Sequence, residues 1–405
     1  MAVVRTVESG EAEAWARQMG IGFLMPIEEG FGTYYLEGTD PARSWAAFDG
    51  DRVVGTLRSF PTTLTVPGLA GVTASAFTNV TVAPTHRRQG LLTAMMMAEL
   101  RASKERGEPL GILIASEYPI YGRFGFGPAV DAASYAVDSR TVRFLDPPVG
   151  TVELVDLPTL RREGPPVYDH FRAGRPGSIG RDDRWWDRVL LQVPVPGAEP
   201  WKGYQALYRS PEGRFEGFVR YEASEDWDAM RVKGTLKVLD LVGSTPAAEG
   251  RLWRYCCEVD LTSEVVARDR SVDELLPRLL TDARVARQTG RWDFLWVRVL
   301  DVAEALSARR YPTAGEIVVE VTDDLGLARG HFLLEAGPDG SACVQTNRMA
   351  DLTLSAATLG SLYLGGVPLA VLLAAGRIVE NRPGAAEVAG AMFRSTVPPW
   401  SNTWF

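Results

Sequence analysis

Residues 82–92 read "VAPTHRRQGLL", placing His86, Arg87 and Arg88 between an apolar run and the glycine that opens a helical pattern. Upstream, "GVTASAFTNVTVAP" (71–84) is rich in Val and Thr, the composition of a strand, and Pro84 with Thr85 ends it. Downstream, "GLLTAMMMAELRASKERGE" (90–108) sets Leu92, Met96 and Leu100 four residues apart, with Leu91 and Met95 beside them. That period predicts an amphipathic helix stopped near Gly107. A helix mouth presents unpaired N–H groups and the positive end of its dipole, so it attracts phosphate. Gly90 lets backbone approach closely, and Arg87 and Arg88 add charge suited to phosphate geometry.

Working outward, "PLGILIASEYPI" (109–120) reads as a buried strand and "YGRFGFGPAV" (121–130) as a glycine-punctuated turn into another. On the N-terminal side, "RSWAAFDGDRVVGTLRSFPTTLTVPG" (43–68) predicts antiparallel strands joined at Asp49-Gly50. Strand, helix and strand follow one another, with chemistry-bearing loops at strand ends, where α/β folds bind ligands.

Between 136 and 295 the pattern partly recurs. "YQALYRSPEGRFEGFVRYEAS" is a hairpin, and "TLKVLDLVGSTPAAEGRLWRYCCEVD" runs from strand through turn to helix. Laid over the first copy, Gly250-Arg251-Leu252 stands where Gly90-Leu91-Leu92 stood, without the basic pair; a degenerate repeat that has lost its phosphate site is expected. From 296 onward, short strands ("GEIVVEVTDD", "GHFLLEAGPDG", "ACVQTN") precede uncharged helices, an α+β signature.

The 405-residue chain is 46% hydrophobic and carries a formal net charge of −8, which argues against nucleic acid and weakly favours cationic small molecules. Cys256, Cys257 and Cys343 cannot form a disulfide framework, and no CxxC or HxxxH spacing suggests a metal. The N-terminus has no sustained apolar stretch, so a cytoplasmic protein is expected. Leu352 to Gly376 lacks charge, but Pro368 and Gly365-Gly366 divide it into two short helices buried against protein rather than one membrane span.

"VAPTHRRQGLL" with its strand resembles the acetyl-CoA-binding motif of the GNAT superfamily of N-acetyltransferases, Arg/Gln-x-x-Gly-x-Gly/Ala. Leu92 replaces the small residue usual at the last position. Together with "YGRFGFGPA" and "LGSLYLGG", this points to the Eis (enhanced intracellular survival) type. The resemblance implies tandem GNAT-like domains, the second degenerate, followed by a sterol-carrier-protein-like domain: 1–135 catalytic, 136–295 degenerate, and 296–405 bearing the catalytic C-terminus.

The same resemblance implies acetyl-CoA as co-substrate. Val80, Thr81 and Val82 would hold its acyl and pantetheine arm, Arg87, Arg88, Gln89, Gly90, Leu91, Leu92 and Thr93 would surround its diphosphate, and Ser116 and Glu117 would border it. A β-bulge near Asn79 or Val80 is expected to free backbone groups there. Tyr121 matches the family's general acid, with Tyr118 as competitor, and the α-carboxylate of Phe405 its base; the aromatic, diproline-stiffened tail "STVPPWSNTWF" suits docking. A homo-hexamer is implied.

The implied acceptor is a primary amine of a small molecule, aminoglycoside-like or another polyamine. Glu28 and Glu29, with Asp40, are candidates to hold its charge, and Asn79 and Trp404 to line its pocket. Trp404 stands where an acidic residue would hold a polycation, and Asn79 where an aromatic would line the pocket. A GNAT-like enzyme using another acyl-CoA or a specialised-metabolite acceptor, and a non-catalytic CoA- or lipid-binding protein, stay open.

Overall fold

The computed structural model describes residues 2–147, 149–197, 199 and 201–405. Residues 3–299 are built on one twelve-stranded sheet. The first half contributes β1 (Val3–Thr6), β2 (Ser44–Asp49), β3 (Arg52–Thr65), β4 (Gly71–Val82), β5 (Leu110–Ile114) and β6 (Gly127–Asp138). The second contributes β7 (Thr151–Leu154), β8 (Tyr204–Arg209), β9 (Phe215–Ser224), β12 (Thr235–Gly243), β13 (Glu264–Arg270) and β14 (Ala286–Val299). A separate two-residue ladder, β10 (Trp227–Asp228) with β11 (Arg231–Val232), caps the β9–β12 connection.

The spatial order is β1-β2-β3-β4-β5-β14-β6-β13-β12-β9-β8-β7. The halves are therefore not two free-standing sheets laid end to end. β14, from the second half, inserts between β5 and β6 of the first and pairs antiparallel with both. Separating the halves would break both ladders. That exchange was invisible in the sequence because "FLWV" (294–297) is a short continuous apolar run that fits a strand buried on two faces in either half.

Helices cover the sheet: α1 (Ala12–Phe23), α2 (Phe31–Leu36), α3 (Leu91–Glu105), α4 (Tyr118–Tyr121), α5 (Leu157–Ala173), α6 (Asp183–Val189) and α7 (Pro246–Cys257). α3 buries Leu91, Met95, Met96 and Leu100 as its period dictates. Glu99 is buried on the same face, where the Trp45 indole (2.7 Å) and the Ser59 hydroxyl (2.5 Å) donate to it. These bonds pin α3 to β2 and β3, since a buried carboxylate without partners would be costly.

α7 corrects the overlay of the two halves. It starts at Pro246, so Gly250 lies inside the helix and not at its mouth. Pro246 has no N–H, and the Thr245 hydroxyl accepts from the Ala248 N–H at 3.2 Å. Unlike α3, this helix thus starts with a proline and a side-chain cap, which leave fewer free amides at its mouth.

The C-terminal part holds a five-stranded sheet, β17-β16-β15-β18-β19, from β15 (Gly315–Thr322), β16 (Gly330–Gly337), β17 (Gly340–Gln345), β18 (Leu352–Ser355) and β19 (Ile378–Glu380). It is accompanied by α8 (Val302–Ala308), α9 (Ala356–Tyr363), α10 (Leu369–Ala374) and α11 (Ala385–Phe393). The uncharged segment is β18 followed by the two short helices α9 and α10, and no helix among the described residues is long and apolar enough to cross a membrane.

"LGSLYLGG" is core within the chain. A Cβ on Gly360 would meet the Val297 carbonyl oxygen at 2.1 Å, and one on Gly127 the Ala357 carbonyl oxygen at 1.9 Å. Paired glycines thus let α9 lie directly on β6 and β14. The single core cluster there joins Leu110 and Val297 to Leu359, Leu362 and Tyr363, so the last domain buries its apolar face on the large sheet.

Candidate active site

Strand β4 opens the site. It pairs with β5 in parallel only from Ala74 to Phe77, opposite Leu110 to Leu113, and then leaves it. On its other edge, Thr81 faces Thr56 and Thr78 faces Arg58, so Asn79 and Val80 together oppose Leu57. Asn79 has φ 55°. This is a β-bulge at the expected place, and it leaves the β5-facing edge of 78–82 without a strand partner.

α3 begins just beyond. Arg88 (φ 62°) and Gly90 (φ 80°) take left-handed backbone and curl the loop into a concave turn ahead of Leu91. No side chain caps the helix; its backbone ladder begins with the Ala94 N–H donating to the Gly90 carbonyl at 2.9 Å. The amides of Leu91, Leu92 and Thr93 therefore point into open space. A Cβ at Gly90 would meet nothing within 4 Å, so the mouth is unobstructed.

A cavity of about 760 Å³ lies over this mouth. Its walls include Val80, Thr81, Val82, Arg87, Arg88, Gly90, Leu91, Leu92 and Thr93, together with Ser116, Glu117 and Tyr121. Among the expected contact residues, Gln89 alone is not on this wall. His86 sits at the edge, held by the Thr85 hydroxyl (2.8 Å) and the Asp49 carboxylate (3.3 Å). The open amides, the two arginines and the unpaired strand edge form a trough of the shape and charge that a diphosphate with an extended arm requires. The residues present fit CoA.

Tyr121 and Tyr118 part company. Tyr121, at the end of α4, is 4% exposed and faces the cavity, whereas Tyr118 is 59% exposed and packs edge-on to Trp296 outside it. Burial raises the Tyr121 pKa; a hydrogen bond with the Ser116 side chain opposes the rise and the nearby Glu117 charge adds to it. The phenol is accordingly a firm proton holder at neutral pH.

Across β4 lies a second cavity of about 740 Å³, lined by Asn79, Arg58, Phe60, Asp40, Trp404 and Phe405 among others. Phe23 borders both cavities, and they adjoin at the bulge, with Val80 lining the first and Asn79 the second. The structure thus divides the expected machinery, with Tyr121 on the first cavity and Phe405 on the second.

The tail is docked, not frayed. The Trp400 indole donates to the Asp269 carbonyl (2.9 Å), Tyr168 and Thr403 share a hydroxyl contact (2.9 Å), the Asn402 amide reaches Asp240 (2.7 Å), and Trp185 donates to the Trp404 carbonyl (3.0 Å). The Phe405 ring lies edge-on to Phe60 with centroids 5.6 Å apart. Trp404 turns partly away, its indole on Asp269 (2.8 Å).

Glu28 and Glu29 are exposed and line neither cavity. They sit in the loop before α2, whose local hydrophilicity was the only signal for them. Asp40 does face the second cavity, but its carboxylate caps the Ala42 N–H (2.9 Å) and lies 3.7 Å from Arg43. Sequence reasoning missed Arg58, Arg184 and Arg188, which also face this cavity. They come from β3 and α6, far apart in sequence and without a shared motif. Among the described residues, no group of three or more His, Cys, Asp or Glu is arranged to hold a metal.

Comparison with known proteins agrees with this geometry. Residues 3–129 and, separately, 177–299 match the acetyltransferase (GNAT) domain family, and 302–402 match the sterol carrier protein domain. An uncharacterized N-acetyltransferase of Streptomyces avermitilis is 43% identical over 99% of this chain and 98% of its own length. The N-acetyltransferase Eis of Mycobacterium tuberculosis is 34% identical over 86% of this chain and 85% of its own. Among solved structures, Eis1 from Mycobacterium abscessus superposes with a TM-score of 0.88 at 31% identity, each chain fully covered. A GCN5-related N-acetyltransferase from Anabaena variabilis shares the fold at TM-score 0.86 and 20% identity, also fully covered. With two GNAT domains, a sterol-carrier-type C-terminal domain and full-length relatives of this kind, the chain is an acyltransferase that belongs to the Eis-type N-acetyltransferases of the GNAT superfamily.

Proposed function

We propose that the protein transfers the acetyl group of acetyl-CoA to a primary amine of a small molecule by direct attack on the thioester. The observation that carries this reading is the uncapped mouth of α3 opening beside a bulged strand edge, with Tyr121 on one flank and the docked tail on the other.

The amides of Leu91 to Thr93 and the Arg87 and Arg88 side chains hold the diphosphate. The edge of β4 from Val80 to Val82 aligns the pantetheine arm, and Ser116 and Glu117 border it. A free N–H at the bulge polarises the acetyl carbonyl. The amine enters from the second cavity, and its nitrogen bonds to the carbonyl carbon as the carbon–sulfur bond breaks. Tyr121 gives its proton to the departing thiolate, and the carboxylate of Phe405 takes one from the nitrogen. Catalytic function is assigned to residues 1–135 and the tail, with 136–295 as scaffold and 296–405 positioning the chain end.

The resemblance extends the proposal to a cytoplasmic homo-hexamer, in keeping with three free, buried cysteines; light scattering and cell fractionation test these two points. The function is tested by following CoA thiol release from acetyl-CoA with a panel of primary amines, using the native chain and one extended past Phe405 by a short tag. Release that requires both substrates supports the reading, and release with none of the amines overturns it. Full activity in the tagged chain removes Phe405 from the base role.

A further inference from the structure

The second cavity has an unusual charge inventory. Three guanidiniums, Arg58, Arg184 and Arg188, face one nearby side-chain carboxylate, Asp182, and the carboxylate of Phe405. The other two charges on the wall, Arg43 and Asp40, lie 3.7 Å apart and offset one another, while Arg43 also pairs with buried Glu108 behind the wall.

Arg184 is structural, because its guanidinium donates to the carbonyls of Tyr34 (3.1 Å) and Tyr35 (2.9 Å). The other two are not consumed in this way. Arg58 is 7% exposed and bonds only through Nε, to Asn79 Oδ1 at 3.1 Å, which leaves its two terminal nitrogens without a protein partner among the described residues. Arg188 lies over the Tyr34 ring at 4.2 Å, and one terminal nitrogen is buried with no partner. Burial and the neighbouring cations push the Arg58 pKa down to about 9, a sign that these charges are not locally balanced.

An unpaired, nearly buried guanidinium is costly unless something pairs with it. The rest of the wall is largely apolar and aromatic, including Met19, Phe23, Phe60 and Trp185. Asn79, the partner of Arg58, is itself the bulge residue, so an anion on Arg58 would sit a few bonds from the transfer point.

Building on the transferase reading, we propose that the acceptor is a carboxylate-bearing amine with an apolar, aromatic-sized body, its acid group seated on Arg58 and Arg188 and its amine at the bulge. A polycation would meet like charge at this wall, so an aminoglycoside is not its fitting acceptor.

The test compares L-phenylalanine with phenylalaninamide, phenethylamine and spermidine as acceptors with acetyl-CoA. The amide holds more neutral amine at pH 7.5, so a preference for the acid runs against intrinsic reactivity. The expected result is a kcat/KM at least about tenfold higher for phenylalanine, with that acid-to-amide ratio falling toward one in Arg188→Leu, mainly through KM for the acid. In parallel, calorimetry without acetyl-CoA compares N-acetylphenylalanine with N-acetylphenethylamine, a readout independent of turnover and of any folding loss in the variant. Equal or weaker binding of the acid overturns the proposal, as does a preference for the amide or spermidine. Acid-selective binding with no thiol release from any amine overturns acetyl transfer, and the acceptor assignment with it, while leaving the anion site in place.

Discussion

Replacing Tyr121 by Phe removes one oxygen from a ring that is 4% exposed and packed edge-on to Phe126 with centroids 6.3 Å apart. The ring stays in place, so the stability cost is that of one hydroxyl hydrogen bond, about 1 kcal/mol. The chemical cost is larger. A leaving thiolate has an ordinary pKa of roughly 8.5, and burial sets the Tyr121 phenol somewhat above its usual ~10. From an ordinary phenol the transfer is uphill by about 1.5 units, a gap that burial widens, against about seven from water with its pKa of ~15.7. If about half of that five-unit difference is felt in the transition state, the variant loses on the order of 10²- to 10³-fold in kcat, or ~3–4 kcal/mol at 1.36 per decade. Thiol release measures the rate, and calorimetry with CoA checks that donor binding is unchanged. Because burial holds the proton more firmly, the native enzyme's alkaline decline in kcat should lie above the ordinary phenol range. A variant within about threefold of native kcat, with CoA binding intact, refutes the acid assignment.

Other consequences concern the scaffold. Gly360→Ala drives a Cβ to 2.1 Å from the Val297 carbonyl oxygen, so α9 must lift from β14; chemical denaturation should show a loss of at least about 1–3 kcal/mol, and an unchanged midpoint would contradict the close approach. Arg298 and Asp323 form a buried 2.6 Å ion pair between β14 and the C-terminal domain, so Arg298→Leu strands a carboxylate and should cost roughly 3–5 kcal/mol by the same assay. Burial and the adjacent Glu274 raise the Glu249 pKa to about 8, while Arg270 holds Glu274 low. A carboxyl raised on folding contributes stability below its unfolded pKa and loses it as pH climbs through the folded one. The melting temperature should therefore fall between about pH 5 and 8, and Glu249→Gln should flatten that fall by about 2 °C or more in scanning calorimetry.

Much of the donor side was legible because its signals are local. The strand, the Pro84 stop, Gly90 and the α3 period all lie between residues 71 and 105, and backbone physics turns them directly into a helix mouth. The second cavity was not. Its arginines come from β3 and α6, part of its wall from the tail, and no spacing rule links 58, 188 and 405. Glu28 and Glu29 lie outside both cavities for the converse reason, since a hydrophilic run reports exposure rather than direction. Strand exchange by β14 and the capped start of α7 depended on pairing and on one Thr hydroxyl, neither of which periodicity encodes. Likewise, Gly360 showed itself as a packing glycine only once β6 and β14 lay beneath it.

The proposed transfer depends on the amides opening α3, with Arg87 and Arg88, gripping a diphosphate. Calorimetric titration with CoA and with pantetheine, which lacks the diphosphate, tests this most directly. Saturable CoA binding at least about a hundredfold tighter than pantetheine is expected, some 2.7 kcal/mol of which part disappears in Arg88→Ala. Equal affinity for the two compounds, or no CoA binding at all, would contradict it.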